Sequence, residues 1–283
     1  MARTFTRTEA IERSINKKYR RTLWAPFVKA VYTYDLIQPG DRIAVCISGG
    51  KDSMCMAKLF QQFQKLKEIP FSLEFIVLDP GYREDNRKLI EQNLETLGIP
   101  AHFSPARIFD YVDQQKGNPC YLCARMRRGY LYNEAKKLGC TKIALGHHFN
   151  DVIETTVMAM FYSSKLETMI PELKSSNFEG MELIRPMYMV HEEDIISWAQ
   201  YNDLHFLKCA CRLTEKSETG ELESKRRETK ELLRELRKKN PEIEHNIFRA
   251  LHAVQIETFP GYKADGELHS FLEHYRNEQE THS

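Results

Sequence analysis

The chain has 283 residues, and its 41 Lys plus Arg balance 40 Asp plus Glu, so no overall basic excess marks a nucleic-acid binder and any RNA contact must come from local patches. Seven cysteines, an odd number with Cys46 inside an apolar run, argue for reduced or metal-bound thiols in a cytoplasmic protein rather than a disulfide scaffold. No apolar run of about 18 residues occurs and residues 1–20 are polar, so neither a membrane span nor a secretory signal is expected.

Residues 1–36 predict one or two helices, with Lys17, Lys18, Arg20 and Arg21 clustered around Tyr19 near Trp24. Such a patch suits RNA phosphates, with bases stacking on the aromatics, and equally suits a plain surface helix. The apolar run Ile43–Ile47 predicts a buried strand, and Met54 to Lys65 a helix. Between them stands Ser48-Gly49-Gly50-Lys51-Asp52-Ser53. A strand, a Gly-Gly turn and a helix start line up backbone N–H groups against an anion; the two serines add hydroxyls and Lys51 a charge. Asp52 beside a phosphate makes sense if it helps to hold a divalent metal. The spacing is not that of a Walker loop.

A second strand, Leu73–Asp79, precedes a helical pattern from about Arg83 to Leu97, and Ala101–Phe103 is a short strand. In Asn118-Pro119-Cys120-Tyr121-Leu122-Cys123 the two cysteines stand at a loop-to-helix junction, followed by Arg125, Arg127 and Arg128 in a helix running to Lys137. Two thiolates there reach one metal, and the arginines and helix start favour the ionised form. Redox pairing of the two is the plainer alternative. The strand Thr141–Leu145 leads into Gly146-His147-His148-Phe149-Asn150-Asp151, with a long helix starting near Asp151. Gly146 permits close approach, and Asp151 can cap that helix and touch magnesium. Neighbouring strand side chains point apart, so one histidine is expected at a nucleotide or substrate and the other in the packing, rather than both on zinc. Leu204–Leu207 is expected as the last strand, with Cys209 and Cys211 just after it. Three cysteines with an open coordination position fit an iron–sulfur cluster. From Glu215 to Lys239, 16 of 25 residues are charged, which predicts a solvated helical arm.

This alternation predicts an α/β fold with a parallel sheet and helices on both faces, its ligand site at the carboxyl ends of the strands. The domain expectation is a helical segment over 1–36, the α/β core over 37–212 and a charged helical extension over 213–283.

The hexapeptide Ser48–Ser53 resembles the pyrophosphatase-type loop (PP-loop) of enzymes that cut ATP between its α- and β-phosphates. Taken with Cys120-x-x-Cys123, Gly146–Thr155, Met160-Phe161-Tyr162, Ile184-Arg185-Pro186-Met187 and the late cysteine pair, the chain over roughly residues 15–212 resembles the tRNA 2-thiocytidine synthetases, the TtcA family. That resemblance implies an ATP- and magnesium-dependent enzyme that adenylates the C2 oxygen of an anticodon-loop cytidine. Sulfur carried by a [4Fe-4S] cluster on three cysteines then displaces AMP. It implies Cys120, Cys123 and Cys209 as cluster ligands, with Cys211 as the alternate third, and Asp52 and Asp151 as magnesium partners acting with Lys51. Ser48 to Ser53, Asp79, Gly146 and His147 would line the nucleotide, and Arg125, Arg127 and Arg128 would join the N-terminal basic cluster on tRNA. A sulfur donor such as a cysteine desulfurase is implied, with a homodimer left open. Two departures stand out: the late pair is Cys-Ala-Cys where the family commonly has C-x-x-C, and Asn150 replaces one of two consecutive aspartates. They leave room for a sister enzyme acting on uridine, although that branch usually carries further cysteine pairs near both ends. A lysidine-type ligase would leave the cysteines unexplained, and a nucleotide- and cluster-binding redox sensor would need no RNA contacts.

Overall fold

A computed structural model describes residues 4–112, 119–207 and 221–273. By contact the chain divides into two bodies, 1–230 and 231–283. In the first, six strands form one sheet: β1 (Arg42–Ile47), β2 (Ser72–Asp79), β3 (Ala101–Pro105), β4 (Lys142–Ala144), β5 (Glu172–Lys174) and β6 (Glu182–Ile184). Their order is β3-β2-β1-β4-β6-β5, and all neighbours run parallel except β5, which is antiparallel to β6.

The apolar run of β1 is buried on both sides because successive side chains enter two different cores. Ile43, Val45 and Ile47 join one cluster, and Ala44 and Cys46 the other. The first cluster packs α1 (Arg7–Asn16), α2 (Ala25–Thr33), α3 (Lys51–Gln64), α4 (Glu84–Leu97) and α8 (Glu192–Tyr201) through Ile11, Phe27, Phe60, Ile90 and Trp198. The second is covered by α6 (Pro119–Lys137) through Tyr132 and Ala135. The remaining helices of this body are α5 (Ile108–Val112), α7 (Phe149–Ser163) and the first part of α9 (Glu221–Lys239).

The N-terminal helices are fastened to the α/β core by specific bonds. A capping box joins Thr6 and Glu9 at the start of α1. Glu12 on α1 accepts from the fully buried Lys58 of α3 at 2.9 Å, and the same ammonium donates to the Leu97 carbonyl at 2.7 Å, which satisfies a charge that burial alone would make costly. The basic cluster sits at the end of α1 and in a five-residue π-helical turn, Arg20–Trp24, with Lys17, Lys18, Arg20 and Arg21 all exposed. Lys18 lies 3.6 Å from the centre of the Tyr201 ring.

Two expectations need correction. Leu204–Leu207 is not a strand; its backbone partners lie elsewhere, with Asn93 donating to the His205 carbonyl at 2.8 Å and the Leu207 N–H donating to the Gly49 carbonyl at 3.2 Å. The outer positions of the sheet go instead to β6 and β5, whose three-residue strands are too short to show a period. The long helix, expected to start near Asp151, starts two residues earlier at Phe149, with His148 as its N-cap and Asp151 closing the capping box.

The second body, taken by itself, holds the remainder of α9, then α10 (Ile243–Leu251) and a hairpin of β7 (Gly261–Ala264) and β8 (Glu267–Ser270). The hairpin turns at Asp265-Gly266, both with positive φ, as a tight two-residue turn requires. It adds strand to a region expected to be helical.

Candidate active site

The Ser48–Ser53 turn sits at the carboxyl end of β1, where the chain swings into α3. Gly49 has φ +83°, and a Cβ there would lie 2.7 Å from the Ile90 side chain, so the turn requires glycine. Gly50 is the N-cap of α3. Ser53 Oγ donates to the Gly50 carbonyl at 3.0 Å and accepts from the Ser48 N–H at 3.1 Å, holding the loop closed behind the helix start. The orphan N–H groups of that first turn carry a partial positive charge. At Gly146 a Cβ would meet the backbone of Ser53 and Asp52 at 3.1–3.3 Å, so the strand-end glycine lets the two ligand-binding loops touch.

The side chains around this contact are densely charged. Lys51 Nζ donates to Glu192 Oε1 at 2.9 Å and to Asp52 Oδ2 at 3.1 Å. Those carboxylates outweigh burial and hold the ammonium pKa up, while Lys51 and Lys230 pull Glu192 down to about 2 against its desolvation. Asp52 Oδ1 is buried, 3.1 Å from Lys51 Nζ and 3.8 Å from His148 Nε2. His148 and Asp151 form a capping box: the His148 N–H donates to Asp151 Oδ2 at 3.1 Å, and the Asp151 N–H to His148 Nδ1 at 3.4 Å. The imidazole thus stands between the two carboxylates expected to hold magnesium and sets their spacing. His147 lines the cavity instead, and its burial pushes the imidazole pKa down to about 4, so it is neutral near pH 7.

Two cavities open beside the loop and share Ser48, Asp52 and Arg127 as walls. One, of about 340 Å³, lies over the ends of β1, β2 and β4, lined by Ile47, Leu78, Gly146, His147, Asp151 and Arg128 among others. The other, of about 750 Å³, runs from Gly50 and Lys51 to Leu204–Leu207. Arg127 and Arg128 therefore face the same space as the loop, while Arg125 is exposed and lines a separate cavity behind α6. Asp79 lies beside the site but shapes a turn: its Oδ1 accepts from the N–H groups of Gly81 and Tyr82 at 2.9 and 2.8 Å, and Oδ2 from Arg87 at 3.3 Å.

Cys120 and Cys123 stand three residues apart at the start of α6, a spacing that puts both on one helix face. Cys123 is buried with Tyr82 in the main core, and the Tyr82 hydroxyl donates to the Ser48 carbonyl at 3.3 Å, next to the loop. The Cys120 side chain, Cys209 and Cys211 lie outside the described residues; Leu207, bonded to Gly49, is the last described residue before them. Among the described residues no three His, Cys, Asp or Glu side chains group to hold a metal, and Cys46, Cys55, Cys123 and Cys140 form no disulfide.

Four members of the site were not singled out in the sequence. Glu154 lies one turn beyond Asp151 on α7, a spacing that was legible; Glu192, Arg226 and Lys230 come from elements far along the chain. Arg226 Nε is 3.2 Å from Glu154 Oε2, and Lys230 Nζ is 3.5 Å from Glu154 Oε1 and 3.2 Å from Glu192 Oε2. Burial raises Glu154 to about 7 in spite of both cations.

Residues 15–218 match the model of the PP-loop domain family. The tRNA-cytidine(32) 2-sulfurtransferase of Geobacter sulfurreducens is 35% identical over 243 residues, covering 85% of this chain and 91% of that protein. Its counterpart from Geobacter metallireducens is 32% identical, covering 92% and 98%, and the one from Neisseria meningitidis serogroup C 35% identical, covering 90% and 78%. Among solved structures, the U34-tRNA thiolase NcsA from Methanococcus maripaludis, determined with its [4Fe-4S] cluster, superposes with a TM-score of 0.64 at 24% identity, covering 81% of this chain and 78% of that one, which supports the fold. The loop at the sheet edge, the glycine contact behind it and these extended matches together show that the chain belongs to the PP-loop family and, within it, to the tRNA-cytidine(32) 2-sulfurtransferases.

Proposed function

We propose that this chain is an ATP-dependent tRNA sulfurtransferase that replaces O2 of an anticodon-loop cytidine with sulfur. The observation that carries the reading is the convergence of the Ser48–Ser53 loop, the Gly146–Asp151 segment and the arginine face of α6 on one cavity, in a chain of this family. A pyrimidine carbonyl is a poor electrophile. The cytidine O2 attacks the α-phosphorus of ATP and pyrophosphate leaves. A sulfur nucleophile then adds at C2, and AMP departs with the former O2.

The start of α3 and Lys51 bind the phosphates of ATP, a dipole-and-charge arrangement that favours anions. Asp52 and Asp151 are the magnesium partners in this reading; their carboxylates line the same cavity beside the loop and are the hard oxygen donors that such a cation takes. His147 and Gly146 border the nucleotide, and Asp79 fixes the end of β2 next to it. Arg127 and Arg128 lie where they reach either the nucleotide phosphates or the RNA. Cys120, Cys123 and Cys209, or Cys211 in place of the last, supply the thiolate donor set of a [4Fe-4S] cluster, which when bound provides the sulfur. The thiol of Cys123, buried in one core with the loop-bonded Tyr82, supports that donor set. The tRNA backbone is read by the exposed Lys17, Lys18, Arg20 and Arg21 with Arg125. Partners are then tRNA and a sulfur donor, in the cytoplasm.

Nucleoside mass spectrometry of tRNA from cells with and without the gene tests this. Loss of 2-thiocytidine is expected; loss of a thiouridine alone would move the protein to the sister branch, and an unchanged profile would sink the reading.

A further inference from the structure

The charged stretch that begins α9 reaches into the nucleotide site. Asp52, Asp151, Glu154 and Glu192 place four carboxylates around the loop, against Lys51 as the only cation the loop itself supplies. A polyanionic triphosphate entering there meets like charge at short range in a partly desolvated setting, where such repulsion is strong. Arg226 and Lys230, one helical turn apart on α9, answer it. Arg226 spans Glu154 at 3.2 Å and Asp151 at 3.5 Å, and Lys230 spans Glu154 at 3.5 Å and Glu192 at 3.2 Å. Glu154, which is 3% exposed, is the one carboxylate both cations share. The Arg226–Glu154 pair is close yet not aligned for hydrogen bonding, since Glu154 Oε2 and Arg226 Nε are both buried with no hydrogen-bond partner. The cation is therefore held there by charge more than by directed bonds. Lys230 also shares Glu192 with Lys51, so it weakens the hold of Glu192 on the loop lysine.

We infer that Arg226 and Lys230 are positioning residues of the ATP site: by neutralising Glu154, Asp151 and Glu192 they lower the repulsion against the triphosphate and release Lys51 to bind it. The charged arm is thus part of the nucleotide site. The inference rests on reading the Ser48–Ser53 loop as an ATP site.

The test uses the full-length protein loaded with its cluster, comparing wild type with Arg226→Gln, Lys230→Gln, the double variant and the double variant carrying Glu154→Gln. Equilibrium titration with Mg-ATP and the KM and kcat of tRNA-dependent pyrophosphate release are measured at about pH 8, where Glu154 is ionised. The double variant is expected to bind ATP at least tenfold more weakly, with KM raised and kcat at saturating ATP within about twofold. Adding Glu154→Gln should recover most of that loss, and Lys230→Arg should behave as wild type. Unchanged ATP affinity in a folded double variant overturns the inference, and so does a loss that Glu154→Gln does not recover. Should the double variant not fold, Lys230→Gln alone carries the same comparison, its lysine being 43% exposed. Failure of the wild type to bind ATP would instead overturn the reading of the loop.

Discussion

Asp52 and Glu154 show how differently two carboxylates in one site behave. Asp52 lines the cavity with its carboxylate 3.1 Å from Lys51 Nζ, so Asp52→Ala should reduce tRNA-dependent pyrophosphate release by at least about 100-fold, the scale lost when one charged group is removed from a reaction centre. Its tRNA affinity should stay within about twofold, and normal pyrophosphate release would refute the metal role. Glu154 is held protonated to about pH 7 by burial, against an unfolded carboxyl near 4.5. The folded state therefore binds that proton more tightly, and stability falls as pH rises from about 4.5 to 7, then levels off. Relative to wild type, Glu154→Gln should gain on the order of 1–3 kcal/mol between pH 5 and pH 8, read from denaturant midpoints. A gap that does not change with pH would show that the carboxyl is ionised throughout. Of these two, Asp52 was legible because its motif is local. For Glu154 only the spacing to Asp151 was legible; its pairing with cations was not, because that depends on α9, some 70 residues later.

At the scale of elements, the contact between the end of β4 and the start of α3 depends on a missing side chain. Gly146→Ala would press a Cβ to 3.1–3.3 Å of the Asp52–Ser53 backbone. Overpacking of this kind costs about 1–3 kcal/mol, and the shift should raise the KM for ATP more than it lowers melting temperature would explain; full retention of ATP affinity would refute the role of this contact. The basic turn after α1 makes a separable prediction. Replacing Lys17, Arg20 and Arg21 with Ala leaves buried Tyr19 and Leu23 in place, so the fold should hold while tRNA affinity drops and its salt dependence flattens. An unchanged salt slope would make that turn structural only. Lys18 is omitted because it already sits on the Tyr201 ring.

Over the whole molecule, the fold brings the nucleotide loop, the arginine face of α6 and the start of α9 together from segments far apart in sequence. If Cys120 and Cys123 are cluster ligands, Cys123→Ser should abolish the brown chromophore and thiolation while ATP affinity stays within about threefold, and activity should be lost in air but not on zinc chelation. Retained absorbance would exclude Cys123. The sequence by itself determined the parallel α/β core, the loop and the family, because a buried strand, a Gly-Gly turn and a helix start are written in contiguous residues with short-range rules. The hairpin turn at Asp265-Gly266 is local too, since that dipeptide suits the positive φ both residues adopt. Tertiary structure alone decided that Leu204–Leu207 leaves the sheet to bond Gly49, that His148 joins Asp151 in capping α7, and that Arg226 and Lys230 meet Glu154 and Glu192. Those outcomes depend on which carbonyl, cap or counter-charge lies nearest once distant segments pack. Spacing along the chain carries no record of that distance.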